Sequence, residues 1–298
     1  MKTQKLKGLE IIPPKEESGK FETPINMPKG HNTCCAVGVR NTGKSVAIVN
    51  IIEKMGYDYV ILVSPTMSSN KEIMSRLNVE HIFEDPDDLT IIDKIKDIVK
   101  KEAEELERYH EELKNYNKLM KDLKEGKFMS DDILLQYFGE DSFVKPEHRW
   151  NGRKPFIACF FDDLLGSGIF SKPRKLNALT TYHRHLGQLK EGGSIGISLY
   201  FAIQKFKCVC GGLNPTIRNN LTNLLIFKTK NERELEDISE SVSGECGVET
   251  FNKVYNYAIG DGQNYEFLFI DLFKKKEHPS MFRKYLNEFI IPEELNKN

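Results

Sequence analysis

The sequence predicts an α/β protein in which a parallel-core β-sheet is flanked by helices. The first observation behind this prediction is an apolar strand, an amphipathic helix and a second apolar strand that follow one another over residues 33–63. Such a βαβ unit requires parallel strands. The second observation is that further apolar runs recur along the chain, with helical or polar segments between them. A chain of 298 residues is long enough to build them into one large domain.

Each predicted strand is a short apolar run that ends at polar or turn-forming residues. The strands are predicted over 33–37, 59–63, 156–161, 194–203, 221–228 and 265–272. The apolar residues of 45–55 recur at helical spacing, and 231–243 and 247–257 are also predicted to be helical.

Two terminal segments flank the predicted domain, and one insertion interrupts it. Residues 1–30 are polar and proline-containing, which predicts an extended arm that packs on the domain or on a neighbour, with 9–12 as a possible edge strand. The domain itself is predicted over 31–275, and 276–298 is predicted to be a helical tail. Within the domain, Glu and Lys recur at helical spacing over 90–127. This insertion is either one long exposed helix or a helical hairpin, and serves as a solvated arm or contacts DNA or a neighbouring subunit.

Composition excludes little. The chain has 43 Lys and Arg against 44 Asp and Glu, so its net charge gives no indication of a nucleic-acid partner. A local basic surface would still be sufficient for one. The six cysteines lack zinc-type spacing, which favours reduced thiols. We expect neither a signal peptide nor a transmembrane helix, because the N-terminus lacks an apolar core and no apolar run is long enough to span a bilayer.

Residues 38–45 read GVRNTGKS and match the phosphate-binding pattern G-x-x-x-x-G-K-[ST]. Glycines let the loop backbone turn its N–H groups toward phosphate oxygens, the lysine adds a positive charge, and the serine offers a hydroxyl to Mg²⁺. The flanking strand and helix are the context that this motif requires. The predicted nucleotide-binding residues are Gly38, Asn41, Thr42, Gly43, Lys44 and Ser45. The motif therefore predicts a P-loop NTPase that binds ATP with Mg²⁺.

An acidic pair and a glutamine follow two of the other apolar strands. Asp162 and Asp163 come directly after 156–161, where a P-loop ATPase needs its second acidic site. We expect Asp162 to hold the Mg²⁺ shell together with Ser45, and Asp163 to orient or deprotonate the attacking water. Gln204 ends the next strand, where its amide can form a hydrogen bond with the attacking water or with the γ-phosphate.

The order of four segments resembles the FtsK–HerA superfamily of DNA-pumping ATPases. The segments are GVRNTGKS at 38–45, FIACFFDD at 156–163, LYFAIQ at 199–204 and NPTIRNNLTNLLIFK at 214–228. Within that superfamily the chain is most similar to the genome-packaging ATPases of large DNA viruses, of the poxvirus and giant-virus type, and of virophages. The supporting segments are YDYVILVSPT at 57–66, Arg184-His185 and FLFIDL at 267–272. Many members of the superfamily carry Asp-Glu where this chain has Asp162-Asp163, whereas several viral relatives also have the paired Asp.

The resemblance covers roughly residues 33–272. It implies a P-loop NTPase fold of the RecA-like (ASCE) class and a motor that translocates double-stranded DNA, most specifically into a preformed capsid. It implies a homo-oligomeric ring of five or six subunits with the nucleotide at the interface, and capsid proteins as further partners. It also implies that an arginine reaches the neighbouring subunit's γ-phosphate, for which Arg184 and Arg218 are the candidates. The implied location is the host cytoplasm or a viral factory, or the virion itself.

Two other functions stay open at this point. A nucleotide kinase or small-molecule phosphotransferase would also use the phosphate loop, with the insertion at 90–127 as a lid, although that segment contains one arginine, Arg108. An assembly protein that is gated by ATP and hydrolyses it slowly would need the loop but not a catalytic Asp163.

Overall fold

A nine-stranded mixed sheet with helices on both faces forms the centre of the molecule. The structure is a computed structural model that describes residues 21–66, 71–127, 130–139, 142–207, 213–229, 231–242, 246–260 and 265–292. In these ranges the strand order is β11-β10-β9-β8-β1-β7-β6-β2-β3. None of the helices in them has the length and apolar character needed to cross a membrane.

The strands of the sheet are short, and six of the nine are buried at every position. They are β1 Thr33–Val37, β2 Tyr59–Val63, β3 Val79–Phe83, β6 Ile157–Asp162, β7 Ser198–Ile203, β8 Asn223–Phe227, β9 Phe267–Asp271, β10 Phe282–Lys284 and β11 Glu288–Ile290, with a separate pair formed by β4 Phe138–Gly139 and β5 Ser142–Phe143. The helices are α1 Lys44–Met55, α2 Lys71–Arg76, α3 Ile91–Lys124, α4 Asp131–Gln136, α5 Gly168–Ser171, α6 Arg174–Tyr182, α7 Pro215–Asn219, α8 Glu232–Val242 and α9 Val248–Ile259.

The buried strands face two cores, one on each side of the sheet. In β1, Cys35 and Val37 belong to one core, while Cys34 and Ala36 belong to the other. Helix α1 covers the second core, and α3, α6, α8 and α9 contribute to the first. A strand that is buried on both faces must be apolar at every position, because successive side chains point to opposite faces. This requirement explains why these strands are visible in the sequence as continuous apolar runs.

The fold class is α/β with a parallel core, as predicted: β3, β2, β6, β7, β1 and β8 pair in parallel, and β9 joins antiparallel. The strand predicted over 194–203 begins later, at Ser198, since Gly196 has φ +67° in the preceding turn. The strands β3, β10 and β11 were not predicted from the sequence. Of these, β3 carries Glu80 and His81 and lies only partly buried at the edge, so its pattern is not apolar.

The prediction of a helical tail over 276–298 is wrong for its described part. Residues 282–290 form the antiparallel hairpin β10–β11, which continues the sheet beyond β9. Apolar residues here are compatible with helical spacing, but pairing with β9 buries Phe282 completely. Tyr285 has φ +53° at the turn, a conformation that ends any helix at this point. Tertiary pairing therefore overrides the local pattern.

A buried arginine connects this hairpin to the N-terminal arm. Arg283 is 1% exposed, and its guanidinium donates to the Asn26 carbonyl oxygen at 2.5 Å and to His278 Nδ1 at 3.0 Å. His278 Nε2 in turn donates to the Ile25 carbonyl oxygen at 2.6 Å. The arm thus packs on the domain near residues 25 and 26. The possible edge strand at 9–12 lies outside the described residues.

The insertion contains one long helix, α3, and its exposure differs along its length. Ile92, Ile95 and Val99 in its first half are buried in the core, together with Ala103 and Leu106. Most of the residues from 107 onward are exposed or partly exposed. The expectation of an exposed arm is therefore wrong for the first half of the helix. This half is amphipathic, and its apolar face packs against the sheet.

Two histidines, the buried His183 and the partly buried His31, lie near the amino ends of the parallel strands. His183 Nδ1 donates to the Ile197 carbonyl oxygen at 2.6 Å, so its Nε2 accepts from the Thr33 hydroxyl at 3.2 Å. Burial lowers the pKa of His31 and of His183 to about 4 in each case. Both imidazoles are therefore neutral in the folded protein near neutral pH.

These two pKa values predict that stability falls on acidification. Below about pH 6.5 the unfolded chain takes up protons at His31 and His183 that the folded chain does not, so the free energy of unfolding decreases by roughly 2 to 3 kcal/mol per histidine by about pH 4.5. Urea titrations across this pH range measure the effect. His183→Gln should flatten the dependence, because one of the two groups that take up a proton on unfolding is then absent. An equally steep dependence in His183→Gln contradicts the assignment.

Candidate nucleotide-binding site

The loop between β1 and α1 turns at two glycines that admit no side chain. Gly43 has φ +88°, and a Cβ atom on it would lie 2.8 Å from Cδ1 of Tyr265. A Cβ atom on Gly38 would lie 2.6 Å from Cβ of Phe227. Asn41 also has a positive φ, +64°, which Asn tolerates better than most residues. The loop therefore folds closely against the strands β8 and β9 on one side of β1.

Lys44 begins α1 and lies inside the turn of the loop. Its Nζ donates to the Val39 carbonyl oxygen at 2.7 Å, and the Thr42 hydroxyl donates to the same oxygen at 2.8 Å. Burial lowers the pKa of Lys44, and the carboxylates of Asp162 and Asp163 oppose this shift. An ammonium group at the N-terminus of a twelve-residue helix is a favourable environment for an anion, because the helix dipole adds to its charge.

Ser45 and Asp162 bring two hard oxygen atoms together beside that lysine. The Ser45 hydroxyl donates to Oδ1 of Asp162 at 2.6 Å. Asp162 is the last residue of β6 and is 5% exposed. Burial raises its pKa and the charge of Asp163 raises it further, while the hydrogen bond from Ser45 and the charge of Lys44 lower it. A hydroxyl and a buried carboxylate that is under repulsion from its neighbour fit the ligand preference of Mg²⁺.

Asp163 and Gln204 form the second polar contact of the site. Asp163 follows β6 with φ +53°, and this turn of the backbone lets both adjacent aspartates face the same side. Gln204 follows β7, and its Nε2 donates to Oδ1 of Asp163 at 2.9 Å. The exposed carboxylate of Asp163 is therefore held in place by an amide from the neighbouring strand.

These groups line one cleft with a volume of about 300 Å³. The cleft lies at the carboxyl ends of β1, β6 and β7, where ligands bind in open parallel sheets. Its walls contain seven residues that the sequence predicted: Asn41, Gly43, Lys44, Ser45, Asp162, Asp163 and Gln204. Arg40, Val46, Thr66 and Ala202 complete the lining.

Four predicted residues do not line this cleft in the described part of the chain. Gly38 and Thr42 shape the loop from outside. Arg184 lies in a short 3₁₀ turn, His183–His185, near the amino end of β7. The cleft is at the carboxyl ends of the parallel strands, so this turn lies at their opposite ends. Arg218 in α7 donates to the Leu213 carbonyl oxygen at 2.9 Å and packs on the Phe206 ring. A role for either arginine at a γ-phosphate stays a prediction and requires a neighbouring subunit.

Sequence reasoning missed three residues near the site. Ser64 follows β2, and its hydrogen bond with Asp162 lowers the pKa of that carboxyl. Thr66 lines the cleft. The signal for both was present, because Ser64-Pro65-Thr66 ends a strand that pairs with β6. Tyr265, which packs on Gly43, had no comparable signal, since its segment lies more than two hundred residues from the loop.

No protein-family model matches the chain, and no curated protein sequence is significantly similar to it. Solved structures that it resembles include B204, the DNA-packaging ATPase of Sulfolobus turreted icosahedral virus, with 13% identity, a TM-score of 0.49 and coverage of 86% of this chain and 97% of that one. The genome-packaging NTPase B204 of Sulfolobus turreted icosahedral virus 2, in complex with AMP, has 13% identity, a TM-score of 0.44 and coverage of 87% and 98%. The conjugation coupling protein TcpA of pCW3 has 15% identity, a TM-score of 0.41 and coverage of 94% and 67%.

The close packing of Gly43 predicts that Gly43→Ala impairs nucleotide binding. The new methyl group must displace the Tyr265 ring, and alanine is strained at a positive φ. We expect the dissociation constant for ATP, measured by calorimetry, to rise at least about tenfold, the equivalent of about 1.4 kcal/mol.

Gly56→Ala is the matched control for this prediction. Gly56 ends α1 with φ +74°, but a Cβ atom there meets no described atom within 4 Å. This variant carries the backbone strain without the clash, so it should lose stability and keep its affinity for ATP. Equal affinities for Gly43→Ala and the unchanged protein would contradict the role of the loop.

Proposed function

We propose that this protein hydrolyses ATP at the cleft between the loop 38–45 and the ends of β6 and β7. The observation that carries the proposal is the convergence of Lys44, the Ser45–Asp162 pair and the Asp163–Gln204 pair on one cleft. These groups come from three separate segments of the chain. Together they supply a cation for phosphates, oxygen ligands for a metal and a carboxylate for water, which are the parts of a phosphoryl-transfer site.

Each residue has a role that follows from its position. Lys44 and the N-terminus of α1 bind the β- and γ-phosphates, and Ser45 and Asp162 hold Mg²⁺. When bound, Mg²⁺ neutralises charge on the phosphate oxygens. Asp163 orients the attacking water and accepts its proton, because it is exposed to the cleft beside the buried Asp162. Gln204 positions the Asp163 carboxylate. Its amide can also form a hydrogen bond with the γ-phosphate, so its contacts depend on whether that phosphate is present.

We further propose that hydrolysis drives translocation of double-stranded DNA by a ring of subunits, most specifically for packaging a viral genome into a capsid. The order of four segments supports this proposal, since it resembles the DNA-pumping ATPases: the phosphate loop at 38–45, FIACFFDD at 156–163, LYFAIQ at 199–204 and NPTIRNNLTNLLIFK at 214–228. Such a motor needs cations that bind the phosphate backbone without sequence preference.

The segment after the acidic pair, where α5 ends and α6 begins, offers such cations. Lys172 and Arg174 are exposed and form no ion pair with the described residues. Lys175 pairs with Asp93 at 2.5 Å, and Lys207 is shared between Asp237 at 2.6 Å and Glu240 at 3.4 Å. Lys172 and Arg174 are therefore better placed to bind a polyanion than the two lysines that already have acidic partners.

The kinase alternative is less well supported. A lid must move as a unit, whereas the first half of α3 is buried in the core through Ile92, Ile95 and Val99. An absence of turnover on nucleoside monophosphates would remove it.

Substitution of Asp163 tests the hydrolytic site. Asp163→Asn keeps an oxygen that accepts from Gln204 but removes the basic carboxylate, so kcat for ATP should fall by roughly 10²- to 10⁴-fold. Because phosphate binding depends on other residues, the dissociation constant for ATP should change by less than about threefold. Phosphate release and calorimetry measure the two quantities. Asp132→Asn on exposed helix α4 is the control. Unchanged turnover in Asp163→Asn would instead support the slow, ATP-gated assembly protein.

Stimulation by DNA tests the motor. Duplex DNA at low salt should increase the ATPase rate several-fold, and the increase should disappear as salt rises, because phosphate contacts release counterions. The double substitution Lys172→Ala/Arg174→Ala should reduce stimulation without changing the basal rate.

A charge-matched control is available on the long helix. Lys100 and Arg108 are exposed on α3, and each pairs with a glutamate one turn further on. Lys100→Ala/Arg108→Ala should keep full stimulation. Loss of stimulation in this control alone would place the DNA contact on α3, and a rate that ignores duplex DNA would contradict the motor.

A further inference from the structure

The strand order makes the two sides of the phosphate loop different. β1 carries the phosphate loop, the reactive residues Asp162, Asp163 and Gln204 follow β6 and β7 on one side of it, and β8 and β9 lie on the other side. A nucleoside triphosphate that brings its γ-phosphate to the reactive side must extend its other end away from that side. The nucleoside is therefore expected over the part of the loop that faces β8 and β9.

An exposed aromatic ring lies on that second side. Tyr265 comes just before β9, and its Cδ1, Cγ and Cβ atoms lie 2.8, 3.6 and 3.7 Å from the position that a Cβ atom on Gly43 would take. The residue nevertheless keeps 62% of its surface exposed. One part of the residue is thus in contact with the last glycine of the loop, while much of the remainder faces solvent.

The position of Tyr265 is fixed by its neighbours. Phe267 pairs with Phe227 at the start of β9, which holds the segment at the same edge of the sheet as the loop. Glu266 forms an ion pair with Lys284 at 3.1 Å, and both side chains are largely buried. Tyr265 itself has φ +79°, an unfavourable conformation for an aromatic residue. Strain of this kind is typical of functional positions, where the surrounding structure holds the residue in place.

We propose that Tyr265 is the stacking platform for the base of the bound nucleotide. The inference rests on the proposed nucleotide site and adds a subsite to it. A flat, exposed ring that is held beside the phosphate loop can stack on any aromatic base, so it contributes affinity without reading the hydrogen-bonding edge of the base. The alternative is a purely structural role, in which the ring only supports the turn at Gly43.

A comparison of ATP with inorganic tripolyphosphate separates the subsite from the loop, because tripolyphosphate has the phosphates and no base. Calorimetry is carried out with both probes on the full chain. Tyr265→Ala should weaken ATP binding by roughly 5- to 150-fold, the loss that follows removal of a stacking aromatic residue. Its affinity for tripolyphosphate should stay within about twofold of the unchanged protein. Tyr265→Phe should retain the affinity for ATP, since the ring remains.

Tyr257→Ala is the matched control, because Tyr257 is 57% exposed and contacts Glu288 of β11 at the far edge of the sheet. This variant should bind both probes as the unchanged protein does. Equal weakening of both probes by Tyr265→Ala would overturn the proposal in favour of a supporting role for the ring. An unchanged affinity for ATP in Tyr265→Ala would overturn it as well. If the unchanged protein bound neither probe, the nucleotide site itself would be wrong, an outcome distinct from failure of the subsite alone.

Discussion

The hydrogen bond between the Ser45 hydroxyl and the Asp162 carboxylate is the contact on which the site depends. It joins the first turn of α1 to the end of β6, although β7 lies between β6 and β1 in the sheet. The bond exists because parallel strands place their carboxyl ends at one edge, so residues more than a hundred positions apart in sequence become neighbours. Burial of Asp162 gives this contact its chemical character, since the desolvated carboxylate gains from any nearby cation.

The elements that the sequence predicts well are those that satisfy a local rule. The strands β1, β2, β6 and β8 are buried on both faces, so their apolar runs leave no ambiguity. The phosphate loop is also local, because eight consecutive residues contain all of its chemistry. The structure brings seven of the predicted site residues into one cleft, and their catalytic roles stay proposals.

The parts that sequence reasoning missed depend on distant contacts. β10 exists because it pairs with the edge of β9, and Arg283 is held in its buried position by a hydrogen bond that its guanidinium donates to the Asn26 carbonyl oxygen of the arm. Asn26 lies 257 residues from Arg283, so nothing in the sequence around the arginine indicates this partner. The same reason hides Tyr265, whose proximity to Gly43 arises only once β9 has paired with β8. A helical pattern that ignores such pairings predicts the wrong structure for the C-terminal segment.

Strand β7 separates two of the predicted site residues. Gln204 follows its last residue, and the turn that contains Arg184 lies near its first, held by the hydrogen bond from the Ile197 N–H to the His183 carbonyl oxygen at 2.9 Å. All six residues of β7 are buried, and a strand of that length spans about 20 Å. Arg184 therefore lies about one strand length from the cleft of its own chain, farther than an arginine side chain extends. Any contact of Arg184 with a γ-phosphate would have to be made at the nucleotide of a neighbouring subunit.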